Sequence, residues 1–210
     1  MQLTPYFNFK KKNFFRLKAL LFFLIIISCS KGEPSVLIDD ELDYEFIDDF
    51  VATVVLSKRP GEKPKTTPGI PHVQIGVDLV PEVNQELYRR VYSIPGIEQI
   101  PSVIGGWQGL SITNDVSILV PDSIIGRREF GHIHDDGSLH IFLAPSRAKN
   151  AVETCWGIYH PSALGETGAL SGFIMLYTPQ SLEELDVTFQ LIIDAYNFIT
   201  KKSIKAADYQ

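Results

Sequence analysis

The sequence predicts an α+β fold, a single domain in which a mainly antiparallel sheet is covered on one face by helices. Three observations carry this reading. Short alternating segments separated by turn signals fill the stretch from Trp107 to Leu143, which is how hairpins read. Two segments, opening at Pro145 and at Ser181, repeat their apolar residues at helical spacing. The resulting order, β-α-β-β-β-β-α-β-α, sets hairpins beside long helices, as α+β layers require.

The elements follow in chain order. Residues 1–28 hold five basic side chains (Lys10, Lys11, Lys12, Arg16, Lys18), no acidic one, and an apolar run from Ala19 to Ile27. That run is far short of the ~20 residues a spanning helix needs, so the segment reads as a secretory signal. It ends Ile26-Ile27-Ser28-Cys29, similar to the bacterial lipoprotein cleavage box, in which the Cys becomes the first mature residue and receives lipid. Acyl chains on Cys29 would tether the protein to the cell envelope at ~0.8 kcal/mol per buried methylene. Ser30 stands where some lipoproteins carry an Asp that keeps them at the inner membrane, which favours the outer one.

Residues 29–58 form an acidic tether, with Leu42, Phe46 and Phe50 at helical spacing within it. Four Pro and two Gly between Arg59 and Pro71 describe an extended loop. Val73, Ile75 and Val77 alternate as a strand. Pro81 opens a helix with Val83, Leu87 and Val91 on one stripe, ended by Pro95-Gly96. Residues 107–113 and 116–120 flank Asn114-Asp115 as a hairpin. The helix from Pro145 carries Ala148, Ala151, Val152, Cys155 and Trp156 and stops at Gly157. Phe173 to Tyr177 is a strand. Ser181-Leu182-Glu183-Glu184 is a capping box, and the helix it starts buries Leu182, Leu185, Phe189, Ile192, Ile193, Tyr196 and Ile199.

Without residues 1–28 the chain has 14 basic against 25 acidic side chains, a net charge of −11, which argues against nucleic acid as a partner. With Cys29 lipidated only Cys155 remains, so no intramolecular disulfide is available. The glycines lack phosphate-loop spacing.

Three of the five histidines fall within nine residues, at His132, His134 and His140. Side chains alternate across a strand, so His132 and His134 share a face. Asp135-Asp136-Gly137 reads as a three-residue loop with Gly in the left-handed region, which sets His132 opposite His140 and His134 opposite Ser138. A two-residue loop would turn His140 to the other face.

The stretches Arg128-Glu129-Phe130-Gly131-His132-Ile133-His134 and Asp136-Gly137-Ser138-Leu139-His140, then Trp156-Gly157 with His160-Pro161, then Leu176-Tyr177-Thr178-Pro179 before an acidic helix, resemble the luciferase domain named after the fungal luciferases. The resemblance covers roughly Arg59 to Thr200 and is sharpest from Arg128 to Pro179, with Arg59-Pro60 and Pro71-His72-Val73-Gln74 matching more loosely. It marks residues 59–210 as a luciferase-like domain. It implies an oxidative reaction on a planar hydroxylated pyrone, in which molecular oxygen adds to an electron-rich carbon, carbon dioxide leaves and light is emitted. The lipoprotein signal departs from the N-terminal membrane segment of the fungal enzymes.

His132, His134 and His140, with His160 closing the site, then have three readings. Neutral imidazoles near pKa ~6.5 remove a phenol or enol proton without any cofactor. Alternatively the three rings bind a divalent transition metal, with His160 as a fourth ligand and Glu129 on the wrong face of a regular strand. The bland reading is a polar hairpin face or core hydrogen bonding. Arg128 is a candidate for pairing a substrate carboxylate or enolate, Trp156 for stacking on a flat substrate, and Tyr177 for placing a hydroxyl in the pocket. The partners expected are a small-molecule substrate and, through Cys29, a membrane. The competing function is capture of a small molecule or metal without turnover.

Overall fold

The computed structural model describes residues 54–163 and 170–210. The signal segment, Cys29 and nearly all of the acidic tether lie outside these residues. The described residues belong to one compact unit. Its fold is α+β.

A two-stranded ribbon, β1 (Lys65–Thr66) with β2 (Gln74–Ile75), precedes helix α1 (Pro81–Ser93). Then come β3 (Ile97–Pro101), β4 (Gln108–Ile112), β5 (Glu129–Ile133), β6 (Leu139–Phe142), α2 (Pro145–Glu153), β7 (Gly157–Tyr159), β8 (Phe173–Leu176) and α3 (Leu182–Thr200). Strands β3 to β8 form one sheet in the order β3-β4-β5-β6-β8-β7, every neighbour antiparallel. Among the described residues no helix is long and apolar enough to cross a membrane.

Alternation along the strands divides the sheet into two chemically distinct faces. Leu110, Ile112, Ile133, Leu139, Ile141, Ile174 and Leu176 join Leu87 and Val91 of α1 and Leu185, Phe189 and Ile192 of α3 in one buried core. The opposite face presents His132, His140, Phe142, Phe173 and Met175, and loops rather than helices cover it. Helix α3 begins as its sequence predicts, with Ser181 Oγ accepting the Glu184 N–H at 3.3 Å, and ends at Lys201 in the left-handed region. Leu182, expected on the buried stripe, is instead exposed as the first residue of the helix.

Several expectations change for local reasons. Residues 116–120 are not a strand. The turn at Asn114-Asp115 forms, but Val116 N–H then bonds Thr113 C=O, and Leu119 and Val120 N–H bond Ile199 C=O at the end of α3. β4 pairs instead with β3, a strand that the short polar run Ile97–Pro101 does not advertise. Helix α2 stops before Gly157, because Cys155 adopts φ 64° and turns the chain into β7. Gly157 serves the sheet instead, since a Cβ there would lie 2.5 Å from the Met175 carbonyl oxygen. Around Val73 the buried face is the polar one: His72 and Gln74 point inward and Ile75 is exposed.

Candidate active site

The β5–β6 hairpin has the three-residue loop. His132 pairs with His140 and Ile133 with Leu139, His134 N–H bonds Ser138 C=O at 2.8 Å, and Gly137 sits at φ 80°. A Cβ at Gly137 would also press on the Thr178 methyl at 3.0 Å. Thr178 Oγ1 donates to Asp136 C=O at 2.8 Å, which ties the loop to the end of β8.

All five histidines of the chain meet here. His140 is the hub. Its Nδ1 lies 3.1 Å from His132 Nε2 and 3.1 Å from His134 Nε2, and its Nε2 lies 3.0 Å from His72 Nδ1. His160 follows β7, placed by its own N–H on Phe173 C=O, with its ring 4.7 Å from that of His140. His72 enters from the ribbon, which Gln74 fastens by exchanging hydrogen bonds with Thr178: Gln74 Nε2 donates to Thr178 Oγ1 at 2.6 Å and Thr178 N–H donates to Gln74 Oε1 at 3.2 Å.

Glu129 belongs to this cluster, contrary to strict alternation. The β4–β5 register slips between Leu110 and Ser111, so that Leu110 faces Gly131 and Ser111 faces Glu129, leaving Phe130 as the extra residue of a β-bulge. That one-residue shift moves Glu129 onto the face of His132, and Glu129 Oε1 accepts from His132 Nδ1 at 3.0 Å. The carboxylate is fully buried, and also accepts from Ser102 Oγ at 2.8 Å and Val103 N–H at 2.7 Å. Burial raises its pKa, but the hydrogen bonds from His132, Val103 and Ser102 outweigh it, and the group ends below the ordinary carboxylate value. Gly109, paired with His132, leaves the room: a Cβ there would be 3.2 Å from the carboxyl carbon.

These contacts fix the ring protons. A carboxylate only accepts, so His132 carries H on Nδ1, and the neutral tautomer of that ring has a bare Nε2. Ser138 Oγ donates to Asp136 Oδ1 at 2.6 Å, so it can only accept from His134, whose Nε2 is likewise bare. The neutral order that satisfies both puts the His140 proton on Nδ1, leaves its Nε2 to accept from His72 Nδ1–H, and leaves His72 Nε2 bare. At His160 the Ser162 N–H donates to Nδ1 at 3.0 Å, so that ring holds its proton on Nε2.

The cluster forms the polar wall of a cavity of about 400 Å³ that is otherwise lined by Ile70, Ile104, Trp107, Ile124, Phe142 and Phe173, among others. His72, His132, His140 and His160 line it, and His134 packs against His140 with ring centroids 4.6 Å apart. Trp107 stacks on His132 with ring centroids 5.1 Å apart and 14° between planes, and also covers His134 at 4.4 Å. Burial pushes the imidazoles down, His134 and His160 to about 4 and His72 and His140 also below the ordinary value, with neighbouring rings adding to the effect on all but His72. These four rings are therefore neutral at pH 7.

A pH dependence of stability follows. A histidine whose folded pKa is depressed binds fewer protons in the native than in the unfolded state, so its contribution is complete above pH ~6.5 and is lost as pH falls through the folded value. Between pH 7 and pH 4 the metal-free domain is expected to lose stability, His134 alone contributing on the order of 3 kcal/mol for a pKa moved from 6.5 to about 4. Denaturant titrations across this range check it.

Three residues expected at the site lie elsewhere. Arg128 donates to the carbonyls of Ile112, Thr113 and Val116, closing the turn after β4. Trp156 is core, its Nε1 donating to Ser57 C=O at 2.8 Å. Tyr177 is buried beneath the Arg59 guanidinium, 5.8 Å from its ring, and burial holds its hydroxyl up at about 12. None of the three lines the cavity. His72 and Trp107 join the site without being among the site residues the sequence predicts. Their signal was weak, a lone His in a Pro-rich loop and a Trp after Gly105-Gly106.

Comparison with known proteins bears on the same region. Residues 127–195 match the family model described as Luciferase domain. The luciferases of Armillaria gallica and Armillaria ostoyae are each 35% identical to this chain over 77 residues, and that of Neonothopanus nambi is 32% identical over 77 residues. These stretches cover 35% of this chain and 29% of each fungal protein, so the chain matches under a third of the length of these curated relatives. No solved structure matches the chain. The matched segment carries the hairpin, Glu129 and four of the five histidines, and residues 127–195 are thus similar to the luciferase domain where the site is built.

Proposed function

We propose that the domain is an enzyme that binds a small, flat phenolic or enolic compound and removes its O–H proton with the bare Nε2 of His72. The observation that carries this is the unbroken chain of ring contacts from Glu129 to His72, from which the proton order follows. Glu129 fixes His132, His132 and His134 fix His140, and His140 fixes His72, so a buried carboxylate holds the ring at the cavity in its basic tautomer. The Nε2–H of His160 is a donor on the same wall for the oxyanion that forms. Apolar and aromatic side chains around them suit a planar ring system.

The anion is electron-rich, and in the reaction implied by the fungal relatives it is the species to which molecular oxygen adds at carbon. The chain's own residues need supply no organic cofactor for this. The protein acts from the cell envelope, tethered by acyl chains on Cys29.

The test is direct. Chelator-treated protein is mixed with a hydroxylated 2-pyrone at a pH one unit below the compound's solution pKa, and the absorbance of the anion is followed. The bound compound is expected to be mostly ionised. A compound that binds and stays neutral contradicts the proposal and leaves the pocket as a capture site.

A further inference from the structure

We infer that His132 Nε2, His134 Nε2 and His140 Nδ1 form a binding site for one divalent first-row transition metal ion. The inference goes beyond proton abstraction by His72 and does not rest on it. Each of the three rings offers one nitrogen, and the three atoms lie within 4.8 Å of one another. Two of the separations are 3.1 Å, against about 3.3 Å for the edge of a tetrahedron with metal–nitrogen bonds of 2.0–2.1 Å. An ion would enter by moving the rings apart by a few tenths of an ångström.

The proton count favours an ion at this point. His132 and His134 both spend their N–H outward, on Glu129 and on Ser138 backed by Asp136, so two bare nitrogens aim at His140 Nδ1. A single N–H cannot point along both 3.1 Å directions. A cation accepts all three lone pairs. An outward N–H held by a carboxylate, directly or through a hydroxyl, is also how metal-binding imidazoles are oriented and made more basic. The rival set, His72, His140 and His160, lies within the same distance limit but among the described residues has no carboxylate hydrogen-bonded behind it, and the neutral His160 ring keeps its proton on Nε2. Three imidazoles without a thiolate suit zinc, iron(II), nickel or copper and leave a fourth position for a water or a ligand oxygen. His132 and His140 line the cavity, so an ion held there borders it.

Occupancy would also reverse the relay. With Nδ1 on the metal, His140 carries its proton on Nε2 and donates to His72 Nδ1, which moves the His72 proton to Nε2. The metal-free site offers an enol a base; the loaded site offers an enolate a cation flanked by two N–H donors. The chemical class recognised, an enolic oxygen, is the same in both.

The probe is zinc alone, with no organic ligand. Full-length protein, stripped with chelator in detergent, is dialysed against zinc and analysed for bound metal. One zinc per chain is expected. Glu129→Gln should weaken binding 10–100-fold, His134→Ala should abolish it, and His160→Ala should leave it unchanged. Thermal melts of the stripped variants establish that each is folded, and nitrogen NMR of the wild type should show the His72 proton moving from Nδ1 to Nε2 on loading. Failure of the wild type to retain zinc, retention by folded His134→Ala, or loss in His160→Ala overturns the inference. Because no substrate is present, such a result leaves the base chemistry of the stripped protein untouched.

Discussion

Replacing His72 by Ala is expected to lower turnover of a hydroxylated 2-pyrone by about 10²–10⁴-fold, the range that a positioned general base contributes. Oxygen consumption and loss of substrate absorbance in metal-free protein measure it. The fold should survive. His72 sits on a short ribbon whose attachment runs through Gln74 and Thr178 rather than through the ring, so the melting temperature should change little. His140→Ala should give a comparable loss for a different reason. It removes the acceptor of the His72 Nδ1 proton, so His72 is free to adopt the other tautomer while remaining in place. The two variants separate on added imidazole, which can take the place of the base missing from His72→Ala but does not restore the tautomer in His140→Ala. Turnover within threefold of wild type in His72→Ala would remove His72 from the mechanism.

The largest effect on stability is expected at Asp194. It accepts from Arg147 Nε at 2.7 Å, both side chains are almost wholly buried, and Gln190 Nε2 donates to its second oxygen at 2.7 Å. Arg147 also donates to Val54 C=O at 2.9 Å and Asn150 Oδ1 at 3.1 Å, fastening the start of the described chain to α2 and α3. Burial raises the Asp194 pKa in spite of Arg147, which indicates how much desolvation the pair carries. Asp194→Ala leaves a buried guanidinium without its counter-charge, and about 3–5 kcal/mol should be lost. Asp194→Leu combined with Arg147→Met should recover most of that loss, because neither charge then needs solvation. Urea unfolding of the three proteins decides it. A double variant as unstable as Asp194→Ala would mean that the lost contacts to Val54 and Asn150, rather than the stranded charge, set the cost.

The site was legible in the sequence where its geometry is local. A strand of period two, a three-residue loop and Gly137 fix the facing of His132, His134 and His140 with no reference to the rest of the chain. What escaped depends on long-range contacts or on a break in period. Regular alternation puts Glu129 on the wrong face because the bulge at Phe130 is set by pairing with β4, which a single strand does not reveal. The apolar alternation of Val73, Ile75 and Val77 hides His72 by pointing to the wrong buried face: Gln74 and His72 are buried there because they have polar partners, Thr178 just after β8 and His140 on β6. Arg128, a candidate for pairing a substrate carboxylate or enolate, spends its guanidinium on three backbone carbonyls. The α+β class was readable because helix stripes and hairpin turns are local signals; β3 and β7, short and partly polar, are strands only because a neighbour completes them.

The proton order is the centre of this account, and nitrogen NMR of the metal-free protein labelled at histidine reads it directly. The account predicts His132, His134, His140 and His72 protonated on Nδ1 and His160 on Nε2 at pH 7, with no imidazolium among the last four. A His72 ring protonated on Nε2 in the absence of metal would contradict it, since no base would then face the cavity.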